Sequence, residues 1–398
     1  MSPSLRDVVA AGVRRLPTDR REAVERRLFV RELRAAGDLV PFLPEERQAG
    51  LLVGPTNTAG QGFLWARAVE AHLAGVAARS VTLQRPGGVD RFSYPADVRL
   101  PLALRPGRAA WRDGVLARFS HVLLETGYSP TAMTTAVADG AEIAAYRAAG
   151  VAPAVVLHGS EIRDPVRHAE LYPTSPYRSA VTVDDDALDR IRAAQRLLEV
   201  EDLPIFVSTP DLLDLAPGAT LLPVVVDVEG FGAPHTVPAL GHQRPIVVHA
   251  PSNPALKGTA VIEPELERLD AAGRITYRRL EGVVHEQMPE FVAGADIVVD
   301  QILLGAVGAL AAEAMAAGRL VVGHVHERVR SRLDGELPVI DATPETFAEV
   351  MEEILRDRDR FTEVAATGPS WARTHHDGRA SAAALAPFLG VAETWSGR

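Results

Sequence analysis

The chain has 398 residues, of which 47% are hydrophobic and 24% charged, with a formal charge of −10 and no cysteine. That length sets an expectation of two domains of ordinary size. The acidic balance argues against nucleic acid or an anionic membrane surface as the main partner, the lack of cysteine excludes disulfides and thiolate metal sites, and no apolar run is long enough to span a bilayer, so a soluble cytoplasmic protein is expected.

Residues 1–46 are rich in Arg and Glu with apolar residues at helical spacing, and Pro41 and Pro44 break the pattern. A helical extension is expected there, packing on the domain or mediating a homodimer. A first strand follows at 51–53, then the loop Gly54-Pro55-Thr56-Asn57-Thr58-Ala59-Gly60-Gln61-Gly62 and a helix through Trp65, Val69 and Leu73. Gly60 and its fellow glycines let backbone approach a ligand, and Asn57 and Gln61 supply donors. The loop lacks the Gly-Lys-Ser/Thr ending of a nucleotide-triphosphate loop and the G-x-G-x-x-G spacing of a dinucleotide fold.

Strands and helices then alternate, with strands at 80–83 and 121–125, a helix at 138–149 and a strand at 155–157. The last of these runs into His158-Gly159-Ser160-Glu161-Ile162-Arg163, which puts an imidazole and an acid-base cluster at the carboxyl end of a strand, where α/β proteins reach ligands. Asp184 to Asp186 are read as cap and dipole partners of a helix start, not as a metal site. A strand at 205–208, a helix starting at Thr209-Pro210-Asp211 and a strand at 221–226 complete a first α/β half spanning 47–228.

The Gly- and Pro-rich stretch 229–245 reads as a linker. A second α/β register opens beyond it, with a strand at 246–249, a loop carrying Asn253, Lys257 and Gly258, a helix through Leu269, a strand at 275–280 and a helix at 286–293. Residues 295–325 then read strand, loop, helix, strand, with Asp300 after the strand, Gly305 and Gly308 in the loop, and Glu313 as the sole ionised residue of an alanine-rich helix. A strand at 336–340 and a helix at 345–356 follow; this half spans 246–371, and 372–398 is read as a helical tail. Two facing Rossmann-like domains with a cleft between them are the expected α/β architecture.

Lysine plus arginine is 42, yet Lys257 is the only lysine, and Asn57 and Asn253 are the only asparagines. A GC-rich coding bias replaces Lys by Arg wherever the protein tolerates it. All three residues lie in loops directly after predicted strands, and Arg cannot stand in for Lys where a compact, freely rotating charge is needed.

Taken together, Gly54 to Gln61, His158 to Arg163, Val207 to Leu213, His249 to Thr259 with Lys257-Gly258, and Ala295 to Val322 with Glu313-Ala314-Met315-Ala316-Ala317-Gly318 resemble a GT-B glycosyltransferase of the retaining family 4 (group 1) type. The resemblance implies transfer of a sugar from a nucleotide-sugar donor, most readily a UDP-sugar, to a small-molecule or glycan acceptor, with retention and without a metal or other cofactor. It implies that Lys257 clamps the donor diphosphate, that Glu313 binds the ribose and that His158 lines the sugar. The family's first motif glutamate should stand at 305, which is Gly305, and the arginine five residues before the motif lysine is Ser252; Asp300, Asn253 or backbone N–H groups of 305–308 are the substitutes on offer. Two further readings share the scaffold, a sugar-nucleotide-binding partner protein without turnover and a nucleotide-sugar epimerase.

Overall fold

The computed structural model describes residues 40–84, 94–101, 108–132, 134, 136–179, 181–232 and 237–392. Of the helical extension expected over 1–46, residues 1–39 lie outside them, and residues 40–46 are not helical. Among the described residues, twelve parallel strands form two sheets. The first contains β1 Ala49–Gly54, β2 Val76–Gln84, β3 Val98–Pro101, β4 His121–Glu125, β5 Ala152–Leu157, β6 Ile205–Val207 and β7 Thr220–Leu221, in the order β3-β2-β1-β4-β5-β6-β7. The second contains β8 Ile246–His249, β9 Thr276–Arg279, β10 Ile297–Val299, β11 Leu320–Gly323 and β12 Val339–Asp341, in the order β12-β11-β10-β8-β9.

The short β-branched runs form these central strands because helices cover both faces, so each residue of the run is buried whichever way it points. Along β1, Leu52 joins Val122, Leu124 and Val155 on one face, while Leu51 and Val53 meet Trp65, Leu123 and Val156 on the other. Trp65 comes from helix α1, Gln61–His72. In the second half the core is built against α2, Thr259–Ala271, and α3, Ala309–Ala316. Alanine makes α3 thin enough for α4, Arg358–His376, to lie against it; a Cβ at Gly368 of α4 would come within 2.8 Å of Met315 O.

The chain then crosses back. Helix α5, Arg379–Leu389, places Ala382, Leu385, Ala386 and Leu389 in the core of the first half beside Leu51, Trp65 and Phe206. The predicted strand over 221–226 shortens to Thr220–Leu221 because the residues beyond it find other partners: Val225 exchanges hydrogen bonds with the Gln61 amide and Val226 N–H donates to His376 O. The helix expected from Thr209 is a 3-10 turn, Pro210–Asp214.

At one end the halves are bolted together. Tyr172 donates its hydroxyl to Asp214 Oδ2 at 2.8 Å, and Arg332 of the second half donates to Asp214 Oδ1 at 2.5 Å and to Pro210 O at 2.8 Å. Burial alone would raise the Asp214 pKa, but the bonds from Arg332 and Tyr172 hold it below the usual carboxylate range. Among the described residues, no helix is long and apolar enough to cross a membrane.

Candidate active site

Open α/β sheets bind ligands where the strand order reverses, at the carboxyl ends of the strands. In the first sheet this crevice lies between β1 and β4, and in the second between β8 and β10. The sequence-derived site residues fall on these two crevices.

The loop after β1 closes on itself. Asn57 adopts a left-handed conformation (φ 49°), its N–H donates to Glu125 Oε2 at 2.7 Å, its Nδ2 donates to Pro95 O at 2.7 Å and its Oδ1 accepts from Phe63 N–H at 3.1 Å. Gln61 spends its amide on the backbone of Val225, donating at 2.9 Å and accepting at 2.7 Å. Asn57 and Gln61, expected to offer donors to a ligand, are both buried here and bond to protein groups. Gly60 has φ +73°, and a Cβ there would approach Tyr94 Cδ1 to 2.9 Å, so glycine is required by both conformation and space.

His158 follows β5 and lies over Trp65, ring centroids 5.4 Å apart and planes at 12°. Its Nε2 is 3.4 Å from Oε1 of Glu125, the fully buried last residue of β4. Glu161 does not pair with Arg163; its carboxylate accepts from the N–H groups of His158 and Gly159. Arg163 instead donates to buried Asp211 Oδ2 from Nε at 3.0 Å and from Nη2 at 2.8 Å, and a Cβ at Gly159 would strike its Nη1 at 2.1 Å. The acid-base cluster thus holds the His158 turn rigidly from behind.

The second crevice gathers Lys257, Gly258, Asp300 and Gly308. Asn253 accepts from Leu256 N–H and so caps the short helix Pro254–Lys257, while remaining exposed itself. Gly258 (φ +81°) ends that helix and starts α2; a Cβ there would meet Leu303 Cγ at 2.9 Å. These two features point the Lys257 side chain at Asp300, the residue after β10: Nζ donates to Oδ1 at 2.7 Å. Oδ2 of the same carboxylate accepts from Gly308 N–H, at the start of α3, at 3.0 Å. Beneath them His249, buried at the end of β8, bonds Thr259 Oγ1 and Val299 O, both at 2.8 Å; burial lowers its pKa.

Glu313 is 9% exposed, not solvent-facing, and its Oε1 is 3.0 Å from His285 Nε2. Tyr94 of the first half packs on the same imidazole, centroids 4.7 Å apart. Gly305 has φ +69°, which strains any side chain, and a Cβ there would lie 3.1 Å from both Tyr172 Cδ1 and His326 Cβ, a tight contact that both would have to ease by a few tenths of an ångström.

Sequence reasoning passed over Glu125, Asp211 and His285. Glu125 carried a usable signal, an acid terminating an apolar strand at its carboxyl end. Asp211 and His285 carried none, because their roles depend on partners 48 and 28 residues away.

No family model matches the chain, and no curated protein matches it in sequence. Solved structures do match in shape. Sucrose-phosphate synthase from Thermosynechococcus elongatus superposes with a TM-score of 0.54 at 14% identity, covering 86% of this chain and 98% of that one. Anabaena HepE in complex with UDP-glucose gives 0.54 at 13% identity, covering 86% and 99%, and a glycosyltransferase from Rickettsia africae gives 0.51 at 9% identity, covering 86% and 98%. With its two parallel-sheet α/β halves matching these structures over most of their length, the chain has the GT-B glycosyltransferase fold.

Proposed function

We propose that this protein transfers a glycosyl group from a nucleotide-sugar donor, a UDP-sugar foremost, to a hydroxyl of a small-molecule or glycan acceptor, with retention and without a metal. The observation that carries this reading is that the ammonium of the only lysine and the leading N–H of α3 already hold an anion between them, the Asp300 carboxylate. A donor diphosphate fits the same two groups, and as the C1–O bond to it breaks, Lys257 and the α3 N-terminus stabilise the charge that grows on the departing oxygen. In same-face transfer the acceptor oxygen bonds C1 as its proton passes to that phosphate oxygen. Glu313 would take the ribose hydroxyls in place of His285. His158, fixed by Trp65 and Glu125, would meet the sugar from the opposite half. Similar shape to a protein crystallised with UDP-glucose supports the choice of donor class.

Glycine at 305 favours one alternative. Without the family carboxylate, the sugar is left to His158 and backbone N–H groups, as suits a protein that binds a sugar nucleotide and does not turn it over. A thermal-shift panel of UDP, GDP, ADP and dTDP tests the shared part, since a ligand at 100 times its Kd adds about 2.7 kcal/mol of stability. No shift with any of the four would sink both readings. If one binds, incubating the corresponding sugar nucleotide with mixed acceptors separates them: acceptor-dependent release of the diphosphate supports transfer, and binding with no release supports the partner protein.

A further inference from the structure

The Asp300 carboxylate is 2% exposed and both of its oxygens are engaged, one by Lys257 Nζ and one by Gly308 N–H. The space around it is closed. A Cβ at Gly308 would lie 2.5 Å from Asp300 Oδ2 and 3.0 Å from Lys257 Nζ, so the absence of a side chain at 308 leaves room for one anion at the head of α3, and Asp300 fills it. Lys257 and Asp300 cancel in charge, so the seat as it stands has little attraction for a second anion. An incoming phosphate cannot take the helix N–H together with the ammonium donor that Asp300 holds until the carboxylate moves away.

We infer that Asp300 is a tethered anion that competes with ligands for the phosphate seat, sets the affinity threshold a ligand must exceed to enter, and retakes the seat when the diphosphate leaves. The inference rests on the donor reading above and deepens it. Because Asp300 is on the same chain, it competes at a high effective concentration whatever the solution contains. Every phosphate ligand is then weakened by the same factor. Free phosphate and pyrophosphate, which have only the seat to bind, drop out of the useful range, whereas a nucleoside diphosphate keeps contacts elsewhere and stays within it. The same competition at the end of a cycle hastens departure of the nucleoside diphosphate, a step that often limits turnover in enzymes.

The test is the affinity of inorganic pyrophosphate, UDP and uridine for the wild type and for Asp300→Asn, measured by titration calorimetry. The amide keeps the shape and removes the charge. Pyrophosphate and UDP should both tighten about tenfold or more and by similar factors, uridine should not change, and adding Lys257→Ala should cancel the gain. Asp300→Ala should repeat the pattern without the amide. Lys257 offers a second readout as the chain's single lysine: an amine-acylating reagent followed by mass spectrometry of its peptide should find it more reactive in Asp300→Asn, and pyrophosphate should restore protection. Unchanged or weaker binding of both phosphates in the variants would overturn the inference and leave Asp300 a strut for Lys257. The two proposals fail separately. Pyrophosphate tightening with no nucleoside diphosphate bound by either protein keeps the tethered anion and sinks the donor reading; UDP binding that Asp300→Asn weakens does the reverse.

Discussion

Each sheet has one crevice and each crevice holds a buried acid, but the two acids grip different things. Between β1 and β4, Glu125 accepts from the backbone N–H of Asn57, in a turn stitched further by the Asn57 and Gln61 side chains. Between β8 and β10, Asp300 accepts from an ammonium on a four-carbon stem. A backbone N–H leaves its partner only if the turn unfolds, whereas a lysine re-aims by rotating side-chain bonds. The first crevice is a fixed floor that presents His158, and the second is a seat that can be emptied and filled.

The sharpest way to break this comparison is Lys257→Ala. If the second crevice performs the phosphate chemistry, turnover with the best donor should fall on the order of 10² to 10³-fold, measured well below the variant's own melting temperature because buried Asp300 loses its counter-ion. Lys257→Arg should also be strongly impaired, because the planar fork cannot take the place of a compact rotating charge. Wild-type kinetics for Lys257→Arg would mean that the second crevice needs only charge.

Glu313→Gln comes next. It should weaken nucleoside diphosphate binding by about 1.5 to 3 kcal/mol, the range for hydrogen bonds to a charged group, and leave the fold intact. Calorimetry showing an unchanged Kd would confine Glu313 to its bond with His285.

Gln61→Ala asks the converse of the first crevice. It strands the buried N–H and C=O of Val225, so about 1 to 3 kcal/mol of stability should be lost in denaturant unfolding while nucleotide affinity holds. A lost affinity with intact stability would reverse the roles assigned to the two loops.

The smallest effect is a pH dependence under the second crevice. Burial lowers the His249 pKa below its ordinary value, so the unfolded chain takes up a proton there before the native protein does. Its contribution to stability is therefore complete above the unfolded pKa, about 6.5, and declines as the pH falls below it. His249→Gln should flatten that part of the curve in thermal unfolding between pH 7.5 and 5; an unaltered curve would assign the acid sensitivity to other groups.

Much of this was legible in the sequence for local reasons. Apolar β-branched runs such as Ile246–His249 and Ile297–Val299 announce buried strands, and Lys257, Asp300 and Glu313 stand out as the one lysine, an acid directly after an apolar strand and the one charge on an alanine-rich helix. What stayed hidden depends on distant partners. Val98–Pro101 is too short to carry a period, and Arg163 and Glu161 look like a pair until the fold offers Arg163 the buried Asp211. Asn57 and Gln61 read as free donors because the acceptor of one lies at Pro95 and of the other at Val225. Nothing in the composition of Arg379–Leu389 says that it docks on residues more than 300 positions earlier.

That last helix bears on how the protein is made. The side of the first sheet lined by Leu51, Val53 and Leu123 is completed only when Leu385 and Leu389 arrive, and these are made long after it, behind the whole of the second sheet. The first half therefore keeps an apolar face uncovered until Arg379–Leu389 has been made, and a nascent chain halted after His376 would be defective first in the half that was translated earlier.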